Sequence, residues 1–457
     1  MSPPAPHTQP APHTQPAPHT QPAQALPNAL LALSAREVLA RLRSGRLDGE
    51  EVRDAALAQL ASVDPVINAV PLRVASPRPG LPITVKDVLD VAGLPTTLGS
   101  LLCSAHSYSP PGRAPRVAST SDPLVRRLEA QGMAVIGKTN VPELLSGPET
   151  TNDLFGPTRN PWNTALSCGA SSGGAAASVA SGTSWLAHGE DTAGSIRIPA
   201  AFCGVVGLRT TPGLVPAAAF PEDPVPGFTV HGPIARDVDD ALLMLRAMAP
   251  SQPAAPPVSR IGYSADLGGR VPVDPAIADI CAHVVAAALG DRVEAASPQV
   301  DGWHEACVDL LAHRAAVLHG PAVDRFSDRL GAGIRAEVEA GRSLSPARLA
   351  AARAVHAKAQ RTDLGVLVTP AFGVLPWRMP LDDLGAVAAS WPLTTVATMA
   401  GCPALVVPCG VTAEGLPVGL QLIGPPGGDV ALLELGREIE RVRTMPGLPR
   451  SPNWRVS

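Results

Sequence analysis

Cys168-Gly169-Ala170-Ser171-Ser172-Gly173-Gly174 opens the stretch that decides the fold. It continues through Gly189-Glu190-Asp191-Thr192-Ala193-Gly194-Ser195-Ile196-Arg197-Ile198-Pro199 and closes with Phe202-Cys203-Gly204-Val205-Val206-Gly207-Leu208-Arg209. Small residues dominate it. A Gly/Ser-rich block leads into an alanine-rich run suited to a helix, so backbone can approach backbone or ligand closely. Consecutive N–H groups in such a turn can converge on a developing negative charge, and a serine at its end is well placed as a nucleophile. The same residues equally describe a close helix–sheet contact that has room only for small side chains. The stretch alone leaves both readings open.

Formal motif matches nearby narrow the choice. Gly169-Ala170-Ser171-Ser172-Gly173 satisfies the G-x-S-x-G pattern of the α/β-hydrolase nucleophile elbow. That elbow needs a strand directly before it, and residues 157–168 are rich in Pro and Asn. It also needs a later acid and a histidine, and none of His188, His231 and His283 has a recognisable setting. Gly132–Thr139 satisfies the P-loop pattern, but the intervening Met133-Ala134-Val135-Ile136 reads as a buried strand, and Pro142 stands where a helix should be running. S-x-x-K precedes no lysine. Lys86 closes the short apolar run Leu81-Pro82-Ile83-Thr84-Val85, a place where a lysine ordinarily snorkels to the surface.

Further out, buried runs such as 134–136, 364–368 and 404–407 alternate with helical stretches at 124–128 and 238–248. Short apolar runs between helices indicate an α/β architecture, a sheet covered on both faces. Residues 275–360 read as mostly helical. Ser34 and Glu37 have capping-box spacing. A second helix starts near Asp48 and runs towards Val63, with Asp64-Pro65 as its stop. No linker interrupts 81–440, so one domain is expected over 26–450. Residues 5–22 are three copies of Ala-Pro-His-Thr-Gln-Pro, so 1–25 reads as a disordered or polyproline II tail. Polyproline II would place His7, His13 and His19 on one side, where a metal is conceivable; tandem duplication explains the spacing equally well.

Composition excludes several classes. Of 457 residues, 45% are hydrophobic and 17% charged, with net charge −4, which suits a globular core and not a basic nucleic-acid binder. No apolar stretch reaches the ~20 residues that span a bilayer, and no basic segment followed by an apolar one marks a signal peptide. The seven cysteines are scattered without a C-x-x-C pair, which fits a reducing, cytoplasmic compartment and no zinc site. The 36 basic residues include only three lysines, Lys86, Lys138 and Lys358. Lysine, unlike arginine, can lose its proton within reach of neutral pH.

Taken together, residues 169–199 resemble the signature of the amidase signature family. Pro82–Asp87, Gly93–Gly99, Gly137–Glu143, Asn160-Pro161-Trp162, Gly232–Arg236 and Gly415–Gly424 fit the family in its order, so that the similarity runs from about residue 34 to 440. The resemblance implies a mixed central sheet and a Ser–cisSer–Lys triad. In it Ser195 is the nucleophile, Ser171 the bridging serine after a cis peptide bond, and Lys86 the base. The N–H groups of Thr192, Ala193, Gly194 and Ser195 form the oxyanion hole. It implies hydrolysis of a small-molecule carboxamide, or a related C–N bond, through an acyl-enzyme. No metal or organic cofactor is required, no nucleic-acid or membrane partner is expected, and homodimers are common among relatives. Within the family the alternative is the glutaminase subunit of a tRNA-dependent amidotransferase; outside it, a catalytically silent scaffold. The lysine base must be neutral, which an unperturbed pKa of ~10.4 allows for only about 0.04% of molecules at pH 7, so burial is expected to lower it. Lys138 is expected as an internal ion or hydrogen-bonding partner. Arg197 fits a structural ion pair better than a substrate-carboxylate clamp. Ala193 stands where many members have glycine, a methyl that bears on the backbone φ and on the oxyanion pocket. Ala170, Cys168, the short stretch 67–81 and the expanded segment 104–120 are further departures, and they bear on specificity.

Overall fold

The computed structural model describes residues 28–104, 117–216, 223–251 and 260–447. The repeat tail over 1–25, with its three histidines, lies outside these residues, as does most of the 104–120 segment.

Among the described residues eleven strands form one sheet. They are β1 Leu72–Arg73, β2 Leu81–Lys86, β3 Met133–Thr139, β4 Leu186–Asp191, β5 Val206–Arg209, β6 Val230–Ala235, β7 Ile261–Tyr263, β8 Val293–Ala295, β9 Val366–Pro370, β10 Ala404–Val411 and β11 Pro417–Ile423. Their spatial order is β1-β3-β2-β4-β6-β5-β10-β11-β9-β7-β8. The sheet is mixed. β3, β2 and β4 run parallel, as do β9, β7 and β8. The centre from β4 through β6, β5, β10 and β11 to β9 is antiparallel.

Both faces are covered, and the period-two alternation of side chains shows it. Leu405 and Val407 join one apolar cluster with Val238, Leu245, Leu432 and Leu435 from helices Val238–Met248 and Asp429–Val442. Val406, between them, joins another with Ala176, Ile198, Ala200 and Phe202 from helices Gly173–Ala180 and Arg197–Cys203. A strand buried on both faces reads as a continuous apolar run, which is why 404–407 was recognisable. The would-be P-loop is strand β3, and the run ending at Lys86 is strand β2. Residues 275–360 are mostly helical, with the short edge strand β8 among them.

The helix starts follow local chemistry. Glu37 N–H donates to Ser34 Oγ at 3.3 Å, and Ser34 N–H donates to Glu37 Oε2 at 2.9 Å, closing the capping box. Asp48 caps the next helix, Gly49–Ile67, through Glu50 N–H. That helix corrects one expectation, because Pro65 lies inside it and does not end it. A proline has no N–H to give the preceding turn and crowds its carbonyl, and here the helix runs only two residues beyond it. Asn68, left-handed at φ 56°, stops the helix by donating to Asp64 O. The Asp64 carboxylate then turns the chain by accepting from Ala69 and Val70 N–H. Among the described residues no helix is long and apolar enough to cross a membrane.

Candidate active site

Parallel neighbours β2 and β4 finish at the same end of the sheet, which brings their last residues, Lys86 and Asp191, to that end. Two turns arrive there. One is the Gly/Ser block entering helix Gly173–Ala180; the other is the 192–196 loop entering helix Arg197–Cys203. The first turn packs tightly: a Cβ on Gly174 would lie 2.6 Å from Asn140 N and 2.8 Å from Ala69 O. Close packing and site formation are therefore properties of the same small residues.

Lys86 is 0% exposed, and its Nζ donates to Ser171 Oγ at 2.7 Å and to the Glu190 carbonyl at 3.1 Å. Burial pushes its pKa down to about 8, against the pull of Glu190 and Asp191 in the opposite sense. About one molecule in ten then carries neutral Lys86 at pH 7. Ser171 follows a cis peptide bond from Ala170. Ser172 N–H donates to the Ser195 carbonyl at 3.0 Å, which ties the two turns together. The structure thus joins Lys86 directly to Ser171 and sets Ser195 alongside, half-buried. The Ser195 hydroxyl itself makes no hydrogen bond to Ser171.

The loop before Ser195 is held by charge. Asp191 is fully buried. It accepts from Arg197 Nε at 3.0 Å and Nη2 at 2.9 Å, from Arg209 Nη1 at 3.3 Å, and from Gly194 and Ile196 N–H. Burial alone would raise its pKa, but the two arginines and the Gly194 N–H hold the carboxyl well below the usual carboxylate range. Arg197 also donates to Thr394 O and Gln421 Oε1 and is 0% exposed. It is a structural ion-pair partner, buried away from solvent. Lys138 is buried likewise, bonded to Asp87 at 2.6 Å, Pro95 O at 2.8 Å and Thr96 Oγ1 at 2.7 Å.

Of the four amides expected in the oxyanion hole, Gly194 N–H is already engaged by Asp191 Oδ1 at 2.9 Å. The N–H groups of Thr192, Ala193 and Ser195 have no protein acceptor among the described residues. Ala193 keeps a negative φ, so its methyl group imposes no backbone strain. Gly194 is the residue that needs its identity: φ is +119°, and a Cβ there would meet Thr394 Oγ1 at 2.8 Å.

Sequence reasoning gave no role to the histidines beside the lysine. His188 accepts from Lys86 N–H through Nδ1 at 3.4 Å, which puts its proton on Nε2, 2.9 Å from His231 Nδ1. Burial, then His231 and Lys86, drives the His188 pKa down, so the ring is neutral. His231 lies opposite Glu190 in the β4–β6 register, its Nε2 3.9 Å from Glu190 Oε2. His283 is exposed on a distant helix. Also missed were Thr394 and Thr398 of helix Pro392–Ala400, which donate to the Ala193 and Thr192 carbonyls. Among the described residues no His, Cys, Asp and Glu cluster suits a metal ion.

Comparison with known proteins agrees with this architecture. The chain matches the family described as Amidase over residues 50–268 and 271–433. It is 33% identical to an acylamidase of Rhodococcus erythropolis over 90% of this chain and 95% of that one. Among solved structures, 6-aminohexanoate cyclic dimer hydrolase in complex with substrate superposes with a TM-score of 0.79 at 25% identity, covering 93% of this chain and 99% of the other. Native peptide amidase from Stenotrophomonas maltophilia does so with a TM-score of 0.74 at 25% identity, covering 93% and 100%.

Proposed function

Because the chain belongs to the amidase signature family of amide hydrolases, we propose that it is a serine amidase working through an acyl-enzyme on Ser195, with Lys86 as base and Ser171 as relay. The observation that carries this reading is the 2.7 Å hydrogen bond between a fully buried lysine and Ser171, at the foot of the loop that bears Ser195. Neutral Lys86 takes the Ser171 proton as Ser171 takes that of Ser195. The contact between the two hydroxyls closes when substrate is bound, as catalytic hydrogen bonds commonly do. Ser195 Oγ attacks the amide carbon, and the carbonyl oxygen becomes an oxyanion facing the N–H groups of Thr192, Ala193 and Ser195. Gly194 N–H serves the Asp191 contact and not the oxyanion. The protonated lysine returns its proton through Ser171 to the leaving nitrogen. Water then resolves the ester by the reverse route.

A fluorophosphonate probe and a panel of small amides, from acetamide to arylamides and ureides, test the reading. Labelling at Ser195 together with turnover of at least one amide is expected. Absence of both would leave the fold with a silent, scaffold role, and turnover of glutamine only in company with a partner protein would move it to the glutaminase reading.

A further inference from the structure

Between Asp191 and Ser195 every carbonyl is held by a donor from elsewhere. Arg209 Nη1 donates to Asp191 O, Thr398 Oγ1 to Thr192 O, Thr394 Oγ1 to Ala193 O, and Ile198 N–H to Gly194 O, all at 2.8 Å. In a trans peptide the carbonyl and the following N–H point in opposite directions. Fixing those four oxygens therefore fixes the N–H groups of Thr192, Ala193, Gly194 and Ser195. The Gly194 N–H is aimed at Asp191. The Thr192, Ala193 and Ser195 N–H groups are aimed away from protein acceptors.

Thr394 and Thr398 are one turn apart on helix Pro392–Ala400 and both are buried, so their hydroxyls meet successive carbonyls of the loop. They are not equivalent. A threonine within a helix ordinarily donates back to its own preceding turn, and Thr394 also contacts Trp391 O at 3.1 Å. Among the described residues the Thr398 hydroxyl donates to the Thr192 carbonyl alone. We propose that Thr398 is a positioning residue for catalysis: by holding the Thr192 carbonyl, its hydroxyl aims Ala193 N–H at the oxyanion that forms on Ser195 attack. Thr394 holds the peptide whose N–H already belongs to Asp191, so it supports the loop without aiming a donor at substrate. The proposal rests on the acyl-enzyme reading above.

The experiment compares wild type with Thr398→Val, Thr398→Ser and Thr394→Val. The readouts are p-nitroacetanilide turnover, the rate of fluorophosphonate labelling and thermal melting. Thr398→Val is expected to lower kcat roughly ten- to a hundredfold, less than the ~10²–10³ that outright loss of an oxyanion donor costs, because the N–H is misaimed and not removed, with KM little changed. Labelling should slow in parallel, because the phosphoryl oxygen occupies the same place. Thr398→Ser should restore both rates, and Thr394→Val should cost less kcat than Thr398→Val. Wild-type kcat in a folded Thr398→Val variant would overturn the proposal. So would failure of serine to rescue, or an equal loss from Thr394→Val, since each reduces the contact to packing. If wild type is not labelled at Ser195 at all, the acyl-enzyme reading falls first and takes this proposal with it; labelling of all variants at one rate defeats the proposal alone.

Discussion

Lys86 and Lys138 lie at the C-terminal ends of neighbouring parallel strands, are both 0% exposed, and are met by different partners. Lys138 is met by the Asp87 carboxylate, a carbonyl and a hydroxyl, so its charge is answered where it lies. Lys86 is met by a serine and a carbonyl, and among the described residues no carboxylate lies within ion-pair distance of it. Burial then outweighs the more distant pull of Glu190 and Asp191 and brings the pKa down to about 8. Two lysines one strand apart thus differ in whether a carboxylate comes with them, and the proposed base is the one without it.

The widest test of that contrast is at the base. Ser195→Ala is expected to remove hydrolysis by roughly a millionfold, down to what binding and oriented amides supply, and Lys86→Ala by ~10²–10⁴-fold, each with the fold retained. Lys86→Arg should fail as well, because arginine keeps its proton. Near wild-type turnover of Lys86→Arg would take the base role away from this side chain.

Acidity gives the next largest effect. The folded pKa of Lys86 is about 8, below its unfolded value, so the base is stripped as pH falls through 8. kcat/KM should drop about tenfold per pH unit below that point and level off above it. The same shift lowers folding stability below pH 8 and is relieved as pH rises towards ~10.4. A profile flat from pH 6 to 9 would contradict a lysine base.

At Lys138 the expectation is reversed. Lys138→Met leaves the Asp87 carboxylate buried without its cation and should cost about 3–5 kcal/mol of stability, read by denaturant unfolding, with turnover per folded molecule retained. Adding Asp87→Asn removes both charges and should recover much of the loss. A fall in turnover without a fall in stability would make Lys138 part of the chemistry.

The two lysines also show what the sequence discloses. Lys86, Ser171 and Ser195 sit in dense local patterns, and the Arg197 and Lys138 ion pairs were expected from them. The strands at 134–136 and 404–407 were legible because burial on two faces makes a continuous apolar run. Other features depend on register or on distant pairing. Glu190 and His231 face each other only because β4 and β6 pair as they do, and no local pattern announces that. Thr398 lies about 200 residues beyond Thr192 in an ordinary helix, and its hydroxyl matters only for where that helix lands. The contact between Gly194 N–H and Asp191 follows from the orientation of one carboxylate. The persistence of a helix through Pro65 follows from its falling in the last turn.

The scarcity of lysine has a practical side. Lys86 and Lys138 are both sealed inside, and Lys358, on helix Pro346–Ala359, is exposed. Amine-directed reagents such as active esters therefore meet a single lysine at the surface. Coupling this enzyme to a bead or a dye through its amines would attach it at that residue, or at the chain's α-amino group, and leave the two buried amines untouched.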